Sequence, residues 1–237
     1  MKKGFTLAEI LVSMGIIGII SAMTIPSLVS EHKKQVYASQ LSSTVSNLEN
    51  AFSSMISAEG VSTLDETEFY KRTLQSANGY AVFSKYYKFA SQTTTGQYYG
   101  QNQPYRKIGS ADYLNPPSNI LYITKNGMIL SINTEVKQIS KSDANTYNVP
   151  EICSNFMLSI DVNGKGSPNE IGRDVFYFLV GDDAILYPYG SRIASLLLYG
   201  DVDSVYTKID GKFPCTENKY SLGCTARVVE NGYKMDY

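Results

Sequence analysis

The sequence predicts an α+β chain in which one long N-terminal helix, membrane-spanning in its first half, packs its second half on an antiparallel β-sheet. Three observations carry this prediction. From Ile10 to Ser30 there is no charged residue, a run long enough to cross a bilayer as a helix of about 20 residues. Beyond it, Leu41, Val45, Leu48, Phe52 and Met55 recur at spacings of four and three, the seam of an amphipathic helix. Further on, NILYITKNGMILSIN joins two apolar runs at Asn126 and Gly127, residue types that supply the positive φ values of a tight hairpin. A helix with one apolar stripe followed by antiparallel strands is the layering that buries the stripe on a sheet face.

Length and composition narrow the function classes. The 237 residues suffice for one domain of ordinary size with or without a projecting element. Twenty-one Lys and Arg against 22 Asp and Glu leave a net charge of -1, without the global basic surface of nucleic-acid binders, so nucleic acid is not an expected partner. Nineteen tyrosines, no tryptophan and a single histidine give a weakly charged, Tyr-rich surface that leans toward an exported protein. No triad, Gly-x-Ser-x-Gly elbow, phosphate loop or Cys-His metal spacing is present, so no catalytic residue is assigned and the chain reads as a non-enzyme.

The N-terminal segment is read first as a targeting or membrane element. Lys2 and Lys3 fit the positive region of a secretory signal peptide, but no convincing small-residue cleavage site follows the apolar run. A plain signal anchor is the second alternative. Both must explain Glu9. A carboxylate costs about 2.5 to 3.5 kcal/mol at the centre of a bilayer, less near its edge, and an ionisable group at such a place is by default functional.

Over Gly4 to Pro26, GFTLAEILVSMGIIGIISAMTIP, the chain resembles the leader and first helix of type IV prepilins and type II secretion pseudopilins. The resemblance implies a pilin-like fold and a division into a leader (1–4), an assembly half of the helix (5–30), an amphipathic half (31–59) and a globular head (60–237). The head divides into an αβ-region (60–118), a sheet (119–190) and a C-terminal disulfide region (191–237). It also implies cleavage between Gly4 and Phe5 by a prepilin peptidase on the cytoplasmic side, N-methylation of Phe5, and pairing of Glu9 with the Phe5 amine of a neighbouring subunit. The last point gives Glu9 a physical purpose, because an ammonium and a carboxylate in an apolar filament core attract strongly, and removing either leaves the other buried alone.

The implied partners are the peptidase, other pilin subunits, the inner membrane and the assembly platform. The implied location is a single-pass inner-membrane precursor with a cytoplasmic N-terminus, then an extracytoplasmic filament. The function implied is that of a structural subunit, with a minor pilin or cell-adhesion subunit included. The alternative is a membrane-anchored extracytoplasmic module that binds calcium, glycan or DNA and is exported with the same leader.

Within the first helix, Gly15, Gly18 and Ala22 suit close helix packing. Pro26 lacks a backbone donor and predicts a bend or local melting near Met23 to Pro26. His32, beside Glu31 and Lys33, reads as an interfacial charge. The helix continues to about Ser57, roughly 80 Å from Phe5 at 1.5 Å per residue, and Gly60 is its stop.

In the head, a short helix is predicted over Asp65 to Ser76, with Thr63 as cap and Glu66 completing a capping box. Tyr80 to Ala90 is helix or strand, and the polar run Ser91 to Gln103 is an exposed loop. Strands are predicted near Ile120–Thr124, Met128–Asn133, Phe156–Asp161, Val175–Val180 and Ala184–Tyr187. Cys215 and Cys224 flank a polar turn that a disulfide can staple, which leaves Cys153 as a small buried apolar residue.

Asp161, Asn163 and Asp174 offer the hard oxygen ligands that calcium takes, without matching an EF-hand loop. Asx-turn hydrogen bonding by the same side chains is the favoured alternative, so calcium is the one candidate cofactor and no other is expected. Asp201, Asp203 and Asp210 read as a solvated turn. Lys85, Lys88, Arg106 and Lys107, each near tyrosines, are candidate DNA contacts, though scattered cations are more often solubilising.

Overall fold

A computed structural model describes residues 6–74, 79–100, 105–106, 113–202, 215 and 221–237, with the backbone alone at 74, 113, 135, 136 and 155. Its contacts divide the chain into two compact units, Met1–Val36 and Tyr37–Tyr237.

Helix α1 spans Leu7–Glu59, 53 residues, with Pro26 inside it. The predicted local melting does not occur. Proline removes one donor from the ladder, and hydroxyls on either side bind neighbouring carbonyls: Thr24 Oγ1 donates to the Ile20 carbonyl at 3.0 Å and Ser27 Oγ to that of Thr24 at 2.9 Å. Neither bond reaches the Ala22 carbonyl, which Pro26 deprives of its usual donor, yet the helix runs on unbroken. The helix stops at Gly60, φ +64°. There the Val61 amide donates to the Ile56 carbonyl and the Gly60 amide to that of Ser57, the paired bonds of a Schellman motif, which needs a residue free to enter the left-handed region.

The chain then makes a 3-10 turn over Leu64–Glu66 and helix α2 over Glu68–Leu74, not one helix from Asp65. Thr63 makes no side-chain cap bond. Thr67 interrupts the helix in an extended conformation; its hydroxyl donates to the Leu64 carbonyl and accepts from the Tyr70 amide, so it ends one turn and starts the next. Glu66 instead accepts from the Ser62 amide at 2.8 Å.

Tyr80 to Ala90 divides between helix α3 (Tyr80–Tyr86) and strand β1 (Phe89–Thr94). Short helix α4, Thr95–Tyr99, follows, so the run from Ser91 is not a loop as far as Tyr99. Residues 101–103 of the predicted loop lie outside the described residues. Strand β1 is polar because it is an outer strand, pairing among the described residues only with β4 (Ile120–Thr124), with most of its side chains exposed.

The main sheet is antiparallel, in the order β1, β4, β5 (Ile129–Gln138), β6 (Cys153–Asp161), β7 (Val175–Gly181), β8 (Leu186–Pro188). Strands β2 (Tyr105–Arg106) and β3 (Tyr113–Leu114) pair separately. At the β4–β5 hairpin only Gly127 takes positive φ, +82°, and Asn126 does not. The Gly127 amide donates to the Thr124 carbonyl and the Thr124 amide to that of Met128, the bonding of a three-residue loop whose last residue is left-handed.

Alternation along the strands sets two cores. On one face Tyr122, Leu130, Ile132, Phe156, Leu158, Ile160, Phe176, Phe178 and Val180 meet the α1 stripe of Leu41, Val45, Leu48, Phe52 and Met55. Phe52 is stacked on Phe83 (5.4 Å) and Phe156 (6.4 Å). On the other face Ile139, Ile152, Leu179 and Tyr187 pack with residues of helices α5 (Lys141–Tyr147) and α6 (Arg192–Tyr199). Both faces of β7 are therefore covered and all seven of its residues are buried, which explains its unbroken run VFYFLV. Helix α7, Cys224–Glu230, joins the first core through Cys224 and Val228.

Candidate functional site

The candidate site is the start of α1. Thr6 precedes the helix, and its amide and hydroxyl both donate to Glu9 Oε2 at 2.8 Å, while the Glu9 amide donates to Thr6 Oγ1 at 3.3 Å. These reciprocal bonds are a capping box: a Thr at the cap and a Glu three residues on satisfy donors that the first turn would leave unpaired. Sequence reasoning missed this box, although Thr-x-x-Glu directly before an apolar run is its signature. Glu9 thus has a partner within its own chain, and the carboxylate is positioned at the end of the helix by Thr6.

Behind Glu9 the helix offers only apolar and small side chains. Leu11, Ile17, Met23 and Leu28 are 62%, 62%, 75% and 71% exposed. A Cβ built on Gly15 or Gly18 would meet nothing. The first charged pair after the apolar run is Lys34 with Glu31, 2.9 Å apart. The helix is long and apolar enough near its N-terminus to cross a membrane.

Residues 1–25 match the family model described as the prokaryotic N-terminal methylation motif. This is the prepilin signature. Gly4 and Phe5, the residues expected to flank the cleavage, lie outside the described residues. The prepilin motif, the apolar helix that continues it and the helix-on-sheet head together make a pilin-like α+β architecture. No curated protein and no solved structure matches the chain.

The other sequence-predicted residues lie in the head. Cys215 and Cys224 form a disulfide. With nine residues of sequence separation, closing so short a loop limits the unfolded chain by about 2.5 kcal/mol on the chain-entropy account. Cys153 is half-buried, its Sγ 3.9 Å from the Ser154 carbonyl. His32, Lys85 and Lys88 are exposed, as is Arg106 beside its strand bonds. Lys107, Asp203 and Asp210 lie outside the described residues, and Asp201 is half-buried.

Asp161 and Asp174 are brought to the two ends of the β6–β7 connection, and both are fully buried. Their oxygens are engaged by local donors. Asp161 accepts from the Gly164 amide at 2.8 Å and the Tyr99 hydroxyl at 3.1 Å. Asp174 accepts from the amides of Asn169 (2.8 Å) and Glu170 (2.6 Å). These side-chain bonds reach three residues on from Asp161 and four and five residues back from Asp174, so they tie the two ends of the connection to its backbone without the two-residue reach of the expected Asx-turn. Asn163 donates to the Tyr37 hydroxyl at 3.3 Å, and its Oδ1 has no partner. Among the described residues no group of three or more His, Cys, Asp and Glu side chains is arranged to hold a metal ion. Burial, then the neighbouring Asp174, push the Asp161 carboxyl well above the usual range. Burial, offset in part by the two amides, raises that of Asp174 to about 6.

Proposed function

We propose that the chain is a structural, non-enzymatic subunit of an extracytoplasmic type IV pilus or type II secretion pseudopilus. It is cut by prepilin peptidase between Gly4 and Phe5, methylated on Phe5 and polymerised through α1. The observation that carries this reading is the continuity of the methylation motif at residues 1–25 with a helix whose apolar side chains are exposed as far as Val29. A signal peptide destined for removal needs no such helix running into a folded head. The precursor resides in the inner membrane, N-terminus inside, and the assembly platform and neighbouring subunits are its partners.

Within this reading Glu9 has two roles in succession. In the unassembled subunit it caps its own helix through Thr6. In the filament it accepts the Phe5 amine of a neighbour, an ion pair strengthened by the apolar surroundings that make either charge costly alone. Glu9→Ala is expected to leave membrane insertion and cleavage intact and to reduce incorporation into sheared filaments. Incorporation at the level of the unaltered protein would refute the pairing.

A further inference from the structure

One end of the head gathers lysines that its own carboxylates do not neutralise. Asn163 Nδ2 donates to the Tyr37 hydroxyl at 3.3 Å, and the Thr44 hydroxyl donates to Met128 Sδ at 3.4 Å. The β6–β7 connection and the β4–β5 turn therefore both lie against the stretch of α1 that opens the head at Tyr37. Phe89 pairs with Thr124, so Lys88 and Lys125 leave β1 and β4 at the same end of the sheet. A Cβ added to Gly164 would collide with the Gly127 carbonyl, which sets Lys165 one residue from the same turn. Lys165 Nζ lies 4.4 Å from the centre of the Tyr98 ring, a contact that holds its charge on this rim. Lys88, Lys125 and Lys165 are all exposed, and among the described residues none has a carboxylate partner. The acids of the connection do not offset them: Asp161 and Asp174 are buried, and Glu170 is paired with Arg173 at 3.1 Å.

The covalent chain indicates what such a rim meets. Tyr37 follows Ser30, the last residue of the uncharged run, by seven positions, at most about 25 Å of chain even when fully extended. A head on so short a tether is held near the bilayer surface at high effective concentration, and the tethered end is the end that bears the lysines. Each lysine close to an anionic lipid surface favours contact by about fivefold, so three together favour it by roughly a hundredfold. Nucleic acid would meet the same charges but has no tether to bring it there. We infer that this rim is a docking surface for the anionic phospholipid headgroups of the bilayer in which α1 is embedded, and that it rests the unassembled head on the membrane. The inference rests on the membrane residence proposed above.

The test places the full chain in nanodiscs of phosphatidylcholine, alone or mixed with phosphatidylglycerol, and reads lysine acetylation residue by residue by mass spectrometry. Lys88, Lys125 and Lys165 should react at least about threefold more slowly in the anionic discs, and high salt should abolish the difference. Lys141, which follows β5 at the other end of the sheet, should react alike in both. Lys125→Gln combined with Lys165→Gln, both at exposed positions, should reduce the protection of Lys88 to less than about twofold. Three lysines equally reactive in the two kinds of disc overturn the inference alone, whereas a chain that enters neither kind overturns the membrane residence with it. Protection of these lysines by a single-stranded oligonucleotide and not by phosphatidylglycerol would overturn it in favour of nucleic acid.

Discussion

Two stretches of the same helix meet opposite surroundings. From Leu7 to Val29 the apolar residues of α1 are exposed, with Ile17 at 62%, whereas from Leu41 onward the stripe of Leu41, Leu48, Phe52 and Met55 is fully buried. Both stretches are apolar, but only the second meets its match in this chain. Exposing so many large side chains to water is not how an isolated soluble domain is built. The first stretch is therefore written for surroundings outside the chain, first lipid and then, on the proposed reading, other subunits. The second is written for the sheet.

The largest expected effect breaks that comparison at its buried end. Phe52→Ala removes a ring stacked on Phe83 and Phe156 and should cost the head about 3 to 5 kcal/mol, read by chemical denaturation of the full chain in micelles. Ile17→Ala should leave head stability within about 0.5 kcal/mol of the unaltered value. Equal losses from the two substitutions would contradict the division.

A smaller effect belongs to the head alone and depends on pH. The Asp161 and Asp174 carboxyls are both raised by burial, Asp174 to about 6, above the unfolded value of about 3.9. A carboxyl raised on folding binds protons more tightly in the folded state, so stability grows as pH falls through the folded value. It stops growing near the unfolded one. From Asp174 alone, lowering the pH from about 8 to about 5 should add ~1 kcal/mol, and Asp174→Asn should remove that part of the gain. A midpoint that falls steadily over this range would count against the burial argument.

Much of this was legible in the sequence because it is periodic. The α1 stripe, Gly60, the hairpin at Gly127 and the strands β4, β6 and β7 follow from spacing and turn chemistry. What was not legible lies where pairing overrides composition. Ser91 to Thr94 is polar yet forms an outer strand, because such a strand needs backbone partners on one side only. Thr67, not Thr63, caps α2, since the chain first makes a 3-10 turn that no side-chain pattern marks. Helix α6 was missed although Ser191 caps it, accepting from the Ala194 amide, and Gly200 ends it. In the candidate site, Glu9 stands out in the sequence by its charge inside an apolar run, whereas its bond to Thr6 is a local capping contact that charge patterning does not reveal.

The smallest expected effect sharpens the exposed end of the comparison. Thr6→Ala should loosen the first turn of α1 by about 0.5 to 1 kcal/mol, seen as faster amide hydrogen exchange at residues 7–10, and Thr6→Ser should restore protection. Exchange unchanged in Thr6→Ala would show that the capping box contributes nothing.

The central claim, that this chain is a processed filament subunit, is tested most directly by mass analysis of its N-terminus in filaments sheared from cells. The account predicts an N-terminal peptide beginning at methylated Phe5. A chain that still begins at Met1, or one that stays in the inner membrane and never enters the filament fraction, would contradict it.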